Sequence, residues 1–370
     1  MKNSIGTNVI LTLFGESHGP AVGAVIDGLA AGIPVDEAFI ASQLAKRRPQ
    51  GPVDTARREK DQFQILSGVF NGFTTGSPLC IVIPNEDVRS ADYEATKDLA
   101  RPSHADYVAK VKYGGFQDYR GGGHFSGRVT AAIVAAGAIA LKALEAKGVR
   151  IGTHILECGG VRDTDFNSLG SPDGLALMES YVKALDGKSF PVVEDVEEAM
   201  TAKILEAKAD SDSIGGIIQT AVTGLEPGIG EPWFDSLEGL LSKALFAIGG
   251  IKGVEFGSGF GFAAMKGSEA NDSFCVEDGK VLTLTNHNGG INGGISNGMP
   301  LVFNCAVKPT PSIARQQRTV DCESGKEATL CLKGRHDPAI VRRICIVVTS
   351  LVAIVLCDAL ASARGTQFLR

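Results

Sequence analysis

Of the six histidines in the chain, three lie in loops dense with glycine or charge. They are His18 in Gly15-Glu16-Ser17-His18-Gly19, His104 in Arg101-Pro102-Ser103-His104-Ala105-Asp106, and His336 in Arg335-His336-Asp337-Pro338. Imidazole titrates near neutrality, so a loop histidine with a charged neighbour suits proton transfer or the stabilisation of a developing anion. A capping or internally satisfied histidine has the same local sequence, and each motif alone leaves both readings open. The spacing of histidines, with no HxH or HExxH, points to no metal site.

A second candidate is Arg120-Gly121-Gly122-Gly123-His124-Phe125-Ser126-Gly127-Arg128, which runs into a long apolar stretch. Glycines let backbone N–H groups approach an anion, and a following helix start favours negative charge. The run is therefore either a phosphate-binding loop or a surface turn with Ser126 as a simple N-cap. It is neither a Walker loop nor a GxGxxG fingerprint, so no nucleoside triphosphate and no Rossmann unit is implied. Further cations recur in short groups: Lys46-Arg47-Arg48, Arg57-Arg58, the Lys308-Pro309-Thr310-Pro311-Ser312 segment, and Arg335, Arg342 and Arg343. The chain carries a formal charge of −6, which gives no global attraction for nucleic acid. Such clusters are either solvated charge runs or a pocket for a small, multiply charged anion. The residue types end at an enzyme acting on a small phosphorylated or carboxylated molecule.

These loops need rigid elements to hold them. Helices are expected over Val129–Lys147, Val35–Lys46 and Pro232–Ile248 from apolar spacing and helix formers. Strands are expected at Val9–Phe14, Val22–Asp27, Leu79–Pro84, Gly215–Val222 and Leu301–Val307 from β-branched runs bounded by Gly, Pro or Asn. The segments Gly72-Phe73-Thr74-Thr75-Gly76-Ser77-Pro78-Leu79 and Gly294-Ile295-Ser296-Asn297-Gly298-Met299-Pro300-Leu301 share the pattern G-φ-[ST]-x-G-x-P-L. Either the fold has two related halves or a glycine-rich chain has repeated itself by chance. Across 370 residues, 44% hydrophobic composition supports a large core, read here as one continuous domain over 1–370. Residues Ile344 to Ala363 are long enough for a bilayer, but Thr349, Ser350 and Asp358 favour a buried core helix. The eight cysteines form no CxxC pair and sit mostly in apolar runs, so free buried thiols are expected. No leader pattern follows Met1, and a cytoplasmic location is expected.

Taken in order, the motifs resemble those of the chorismate synthase family. The resemblance rests on Phe14-Gly15-Glu16-Ser17-His18-Gly19 with Gly32-Ile33-Pro34, Ile65-Leu66-Ser67-Gly68-Val69-Phe70 with Thr74-Thr75-Gly76, and Arg101 to Tyr107. It continues through Asp118-Tyr119-Arg120-Gly121-Gly122-Gly123 to Thr130, then Lys308-Pro309-Thr310 and Gly334-Arg335-His336-Asp337-Pro338. The resemblance implies an α+β fold, a β-α-β sandwich, and usually a homotetramer. It implies a carbon–oxygen lyase that removes phosphate from 5-enolpyruvylshikimate 3-phosphate by 1,4-anti elimination, with bound reduced flavin mononucleotide (FMN). Carried over by position, His18 matches the histidine near the departing phosphate and His104 the one that protonates the flavin. Asp337 matches an aspartate implicated in proton removal, and Ser17 and Ser126 match assisting serines. Flavin-contact positions correspond to His124, Phe125, Ser126, Gly249, Gly250, Gly293, Lys308 to Ser312 (Lys308, Pro309, Thr310, Pro311, Ser312) and Arg335. Arg47 corresponds to a contact for reduced nicotinamide dinucleotide phosphate (NADPH), a possible source of the reducing electrons. Arg48, Arg120, Arg128 and Arg343 are the expected substrate cations.

The chain departs from the family pattern in places. Val53 replaces a second basic nicotinamide contact, His124-Phe125 replaces a frequent Arg-Ser, and Gly249-Gly250 replaces Asn-Ala or Pro-Ala. Val129 and Thr349 stand for frequent glutamates, and Arg342 for a frequent proline. A flavin reductase and a catalytically silent paralogue are the competing readings. Val53 counts against the first, and intact His18, His104 and Asp337 count against the second.

Overall fold

The computed structural model describes residues 2–51, 53–54, 60–86, 94, 96–332 and 336–370. Two five-stranded antiparallel sheets enclose a layer of helices. The first sheet orders its strands Ser4–Ile5, Ile10–Gly15, Ala21–Asp27, Leu79–Pro84 and Gln64–Ser67. In the second the order is Ile251–Phe256, Leu301–Val307, Gly216–Thr223, Arg150–Cys158 and Val161–Arg162. The five expected strands all form, each within a residue of its expected limits.

Between the sheets run a central helix, Thr130–Glu145, and a C-terminal helix, Val341–Arg364. The central helix packs on the first sheet, the C-terminal helix on the second, and the two helices on each other. An alanine-rich sequence allows this close approach, and Gly137 sharpens it, because a Cβ there would overlap Ser350. The helical span Gly127–Glu145, which includes the turn before the central helix, and the C-terminal helix are each long and apolar enough to cross a membrane, and both are mostly buried within the protein. Asp358 lies within the C-terminal helix, where its carboxylate accepts the backbone N–H groups of Thr7, Asn8 and Val9 at 3.0, 2.6 and 2.9 Å. That satisfies a buried charge and pins the N-terminal strands to the helix layer. One apolar cluster draws on both sheets and both helices.

The repeated octapeptides occupy equivalent places. Thr74 accepts from Ile33 N at 2.9 Å and donates to Ala30 O at 2.6 Å. Ser296 accepts from Ile229 N at 2.9 Å and donates to Glu226 O at 2.6 Å. Each hydroxyl ties a short hairpin to the loop leaving a sheet strand, and each hairpin feeds the next strand of its sheet. The two-halves reading is therefore structural.

Three helices differ at their ends from expectation. The Glu37–Arg47 helix starts behind an Asp36 cap, which accepts from Phe39 N at 2.9 Å. Ser236 caps the Leu237–Leu245 helix in the same way, leaving Pro232 to Asp235 outside it. Ahead of the central helix lies a 3-10 turn over Gly127–Val129. All eight cysteines are free, four of them buried, whereas Cys331 is exposed. Burial pushes the Cys158 thiol up to about 11 and Cys305 up to about 12.

Candidate active site

A cavity of about 770 Å³ opens beside the start of the central helix, within the size range of small-molecule sites. His18, His104, His124, Phe125 and Ser126 line one part of it, and Gly249, Gly250 and Lys308 to Ser312 another. His336, Asp337, Arg343, Arg47, Arg48 and Arg128 complete much of the wall. Motifs up to 319 residues apart in sequence thus meet, as His18 and Asp337 show.

The triple glycine explains how two histidines share this space. Gly121, Gly122 and Gly123 have φ of +60°, +89° and +54°, a left-handed path that residues with a Cβ rarely follow. A Cβ on Gly121 would overlap the His18 ring, and one on Gly122 would sit 3.2 Å from His104 Cε1. The backbone passes between the imidazoles because it carries no side chain there. Ser126 is the N-cap of the following turn, accepting from Arg128 N at 3.3 Å, and it also lines the cavity. The N-cap reading of the loop therefore holds, and the capping serine faces the cavity.

His18 is buried, and its Nδ1 lies 3.1 Å from Ser17 Oγ. Ser17 Oγ donates to Arg120 O at 3.2 Å, so its single proton is engaged and the Nδ1–H of His18 donates to the serine. His104 Nδ1 donates to Asp106 Oδ1 at 2.8 Å. Arg101 holds the same carboxylate through Nε at 2.7 Å and Nη2 at 2.6 Å. Burial alone would raise the Asp106 carboxyl, but the hydrogen bonds from Arg101 and His104 prevail and hold it well below the usual carboxylate range. A carboxylate can only accept, so His104 carries its proton on Nδ1 toward Asp106. Lys308 Nζ donates to Ser103 O at 2.6 Å, next to His104, and burial lowers its ammonium pKa, with Lys252 adding to the effect.

On the opposite wall Arg343 Nη1 donates to Asp337 Oδ2 at 2.6 Å and Arg343 Nε to Arg47 O at 2.8 Å. Arg47 and Arg128 both pair with Asp61, a buried carboxylate. Arg47 also donates to Thr130 Oγ1 at 3.0 Å and Gly127 O at 3.1 Å, and Arg128 to Asn85 Oδ1 at 2.9 Å and Pro84 O at 3.0 Å. His124 Nδ1 lies 2.8 Å from Gly15 O, anchoring the glycine loop to the first sheet.

Three expected site residues among those described, Ser17, Arg120 and Gly293, lie off the lining. Arg120 pairs with Asp118 at 2.8 Å, and Gly293 sits in the second-half hairpin. Arg335 lies outside the described residues. Ser17 adjoins the cavity through His18. Conversely, Asp61, Gln117 and the orienting role of Arg101 and Asp106 were not anticipated. The Asp106 pairing had a readable signal, a carboxylate two residues from a loop histidine. Asp61 had none, since only folding brings it to Arg47 and Arg128.

Comparison with known proteins decides the family. The chorismate synthase profile matches residues 9–361. The chain belongs to the chorismate synthase family. A chorismate synthase of Methanocella arvoryzae is 47% identical over 363 residues, covering 97% of this chain and 94% of that protein. One of Korarchaeum cryptofilum is 45% identical over 362 residues, covering 97% and 98%. A crystal structure of chorismate synthase superposes with a TM-score of 0.77 at 28% identity, covering 98% of this chain and 94% of that one. The sandwich expected from the resemblance is thus the fold of a solved family member.

The residues also fit the flavin that this family requires. Thr310 Oγ1 and Gln117 Oε1 are buried in the cavity wall with no hydrogen-bond partner among the described residues. Buried polar atoms left in that state are costly, and a ligand bearing donors and acceptors satisfies them. The departures at Val53, Arg342 and Thr349 are accommodated locally. Val53 is buried. Arg342 pairs with Asp54 at 2.5 Å and donates to Lys46 O and Arg48 O at 3.1 and 2.7 Å. Thr349 donates to Thr153 Oγ1 at 2.8 Å.

Proposed function

We propose that this chain is a chorismate synthase, a carbon–oxygen lyase that converts 5-enolpyruvylshikimate 3-phosphate to chorismate by 1,4-anti elimination of phosphate. The observation that carries the reading is the convergence of His18 and His104 across the glycine loop onto one cavity faced by Asp337 and Lys308. When bound there, reduced FMN supplies electron density as the phosphate leaves. Gln117, Thr310 and the Lys308–Ser312 segment are the residues suited to hold it.

His18, held through Nδ1 by Ser17, presents its imidazole to the leaving phosphate and stabilises the charge that develops. His104 holds its proton on Nδ1 against Asp106, which fixes the ring's orientation toward the cavity. Asp337 is oriented by Arg343 and serves in removal of the ring proton. Arg48 and Arg343 face the cavity with positive charge suited to a substrate bearing a phosphate and two carboxylates. We read Arg47 and Arg128 as wall residues that shape the site, because their guanidinium groups are enclosed by Asp61 and by backbone and side-chain acceptors. That reading gives NADPH no contact at Arg47. The chain is taken to work as one domain, in a homotetramer, in the cytoplasm, with no role for nucleic acid or membrane.

The test is anaerobic release of phosphate from 5-enolpyruvylshikimate 3-phosphate with dithionite-reduced FMN, following chorismate in parallel. Equal yields of the two products, dependent on reduced flavin, are expected. Binding of flavin and substrate with neither product formed overturns the assignment in favour of a silent paralogue. Sustained oxidation of NADPH with no elimination overturns it in favour of a flavin reductase.

A further inference from the structure

A second cavity, of about 400 Å³, lies behind the main one. Helices Glu37–Arg47, Thr130–Glu145 and Val341–Arg364 meet the start of the Arg150–Cys158 strand there, and the turn after the Pro172–Leu185 helix closes it. Its floor is apolar, with Phe39, Leu141, Val182 and Ile346 among the lining side chains. Its other lining is cationic: Lys46, Lys142, Arg150, Lys183, Lys188 and Arg342 face it, against two carboxylates, Glu145 and Asp186. Those carboxylates are already shared, Asp186 with Lys46 at 2.5 Å and Glu145 with Lys142 and Arg150 at 3.0 and 2.9 Å. Even with Arg342 set against Asp54, the cavity keeps an excess of positive charge. Burial lowers the Lys46 ammonium pKa, while its hydrogen bond and charge pairing with Asp186 act to raise it. Lys142 Nζ lies 4.4 Å from the centre of the Phe39 ring, so apolar surface and charge adjoin.

Adjacent residues divide between the two cavities. Lys46 faces the second while Arg47 and Arg48 face the main one, and Arg342 faces the second while Arg343 faces the main one. Arg342 also grips the Lys46 and Arg48 carbonyls, and Arg343 grips Arg47 O and Asp337. Two pairs of backbone-linked cations thus form the partition.

We propose that the second cavity binds a small carboxylate with an apolar body, of the aromatic-acid class, and that its occupancy alters substrate affinity in the main cavity through this partition. The apolar floor selects against a bare inorganic anion, and the cationic lining selects against a neutral aromatic. The binding half stands independently of the elimination reading, whereas the coupling half rests on it.

The test uses benzoate as probe, with benzamide and inorganic phosphate as comparisons, in calorimetry on the full chain with and without FMN and 5-enolpyruvylshikimate 3-phosphate. Saturable benzoate binding is expected, with benzamide and phosphate at least about tenfold weaker, the loss that one missing charged or apolar contact of ~1.4 kcal/mol produces. Lys142→Gln should weaken benzoate by a similar factor. Thr349→Glu, which places the chain's own carboxylate in the cavity, should abolish binding; if that variant fails to fold, Lys142→Gln still decides. Substrate should change benzoate affinity by a finite factor, and benzoate should change substrate affinity by the same factor. Absence of saturable binding, or binding untouched by Lys142→Gln, overturns the site. Competition by substrate without limit overturns it in favour of binding in the main cavity. Unchanged benzoate affinity with substrate bound overturns the coupling and leaves the elimination reading standing.

Discussion

Two histidine–aspartate pairs of nearly equal length sit in opposite surroundings. His104 Nδ1 and Asp106 Oδ1 are 2.8 Å apart on the wall of the main cavity, and His154 Nδ1 and Asp163 Oδ2 are 3.0 Å apart inside the second half of the sandwich. The first pair is partly open, with the side chains 17% and 22% exposed, whereas the second is 0% exposed at both. His154 packs on Phe166 at 4.4 Å, and its Nε2 lies 3.3 Å from Gln219 Oε1. Gln219 in turn donates to Asp165, the cap of the Phe166–Leu169 turn, at 2.7 Å and to Asn304 on the neighbouring strand at 2.9 Å. The same two residue types therefore form a pair on a cavity wall in one place and a fully enclosed structural clasp in the other. Under the proposed function, access rather than the pair itself decides which of the two takes part in chemistry.

The sharpest way to break that contrast is to remove both histidines in turn. His104→Ala should lower anaerobic chorismate formation by about 10²- to 10⁴-fold, the usual weight of an acid–base group, while flavin binding and the melting temperature stay close to wild type. His154→Ala should do the reverse, costing ~3–5 kcal/mol in denaturant unfolding because it empties the space of a fully buried ring packed on Phe166 and takes one hydrogen bond from Asp163. Its turnover per folded molecule should hold within about twofold, since His154 lines neither the main cavity nor the second one. Equal destabilisation by the two changes, measured side by side, would dissolve the distinction.

A smaller but more local effect belongs to the glycine loop. Gly121→Ala forces a Cβ into the His18 ring at a left-handed backbone position, whereas Gly122→Ala meets His104 at 3.2 Å. Displacing a reacting group by about 1 Å can cost about 10²-fold, so Gly121→Ala should reduce kcat toward that limit and Gly122→Ala by less. Steady-state kinetics on the two variants settles the order, and a larger loss for Gly122→Ala would mean that the loop does not act as the spacer between the imidazoles.

The sandwich was legible where a single periodicity governed a segment. The Leu79–Pro84 and Leu301–Val307 strands have the expected limits because β-branched runs end there at proline or glycine. The long apolar stretch at 344–363 was readable as a core helix because Thr349, Ser350 and Asp358 need partners that lipid does not offer, and Asp358 finds three N–H groups. Helix starts were less legible, since Ser236 and Asp36 act as caps only once the following N–H groups face them. Within the site, each short motif could be read, but their convergence could not be derived from spacing alone; the family resemblance supplied that expectation. Arg47 and Arg128 show the limit of reading charge along a chain. Both were expected to meet ligands, but Asp61, outside every recognised motif, joins them in an internal network.

The two carboxylates extend the comparison to pH. Burial opposes ionisation of Asp163, yet hydrogen bonds from His154 and from the backbone N–H groups of Val193, Thr164 and Glu194 hold its carboxyl below the usual range. A carboxyl depressed in the folded state contributes stability that is present above its unfolded value, about 3.9, and lost as pH falls through the folded value. Denaturant unfolding of Asp163→Asn should therefore show a shallower fall in stability between about pH 5 and pH 2 than the wild type. An unchanged slope would remove Asp163 from the acid response.

The smallest expected effect lies between these regions, in the hydroxyl chain from Thr349 through Thr153 to Thr220, with links of 2.8 and 2.9 Å. It joins the C-terminal helix to two strands of the second sheet, and Thr349 also faces the second cavity. Thr349→Val keeps the shape but deletes a donor, so it should cost about 1 kcal/mol of stability, a typical net hydrogen bond. Because Thr153 and Thr220 can still bond each other, the loss should stay well below that of His154→Ala, where a whole buried ring and its hydrogen bond to Asp163 are lost. A loss as large as His154→Ala in the same denaturant series would show that the second half is held by one cooperative polar network, with the histidine clasp as only one of its members.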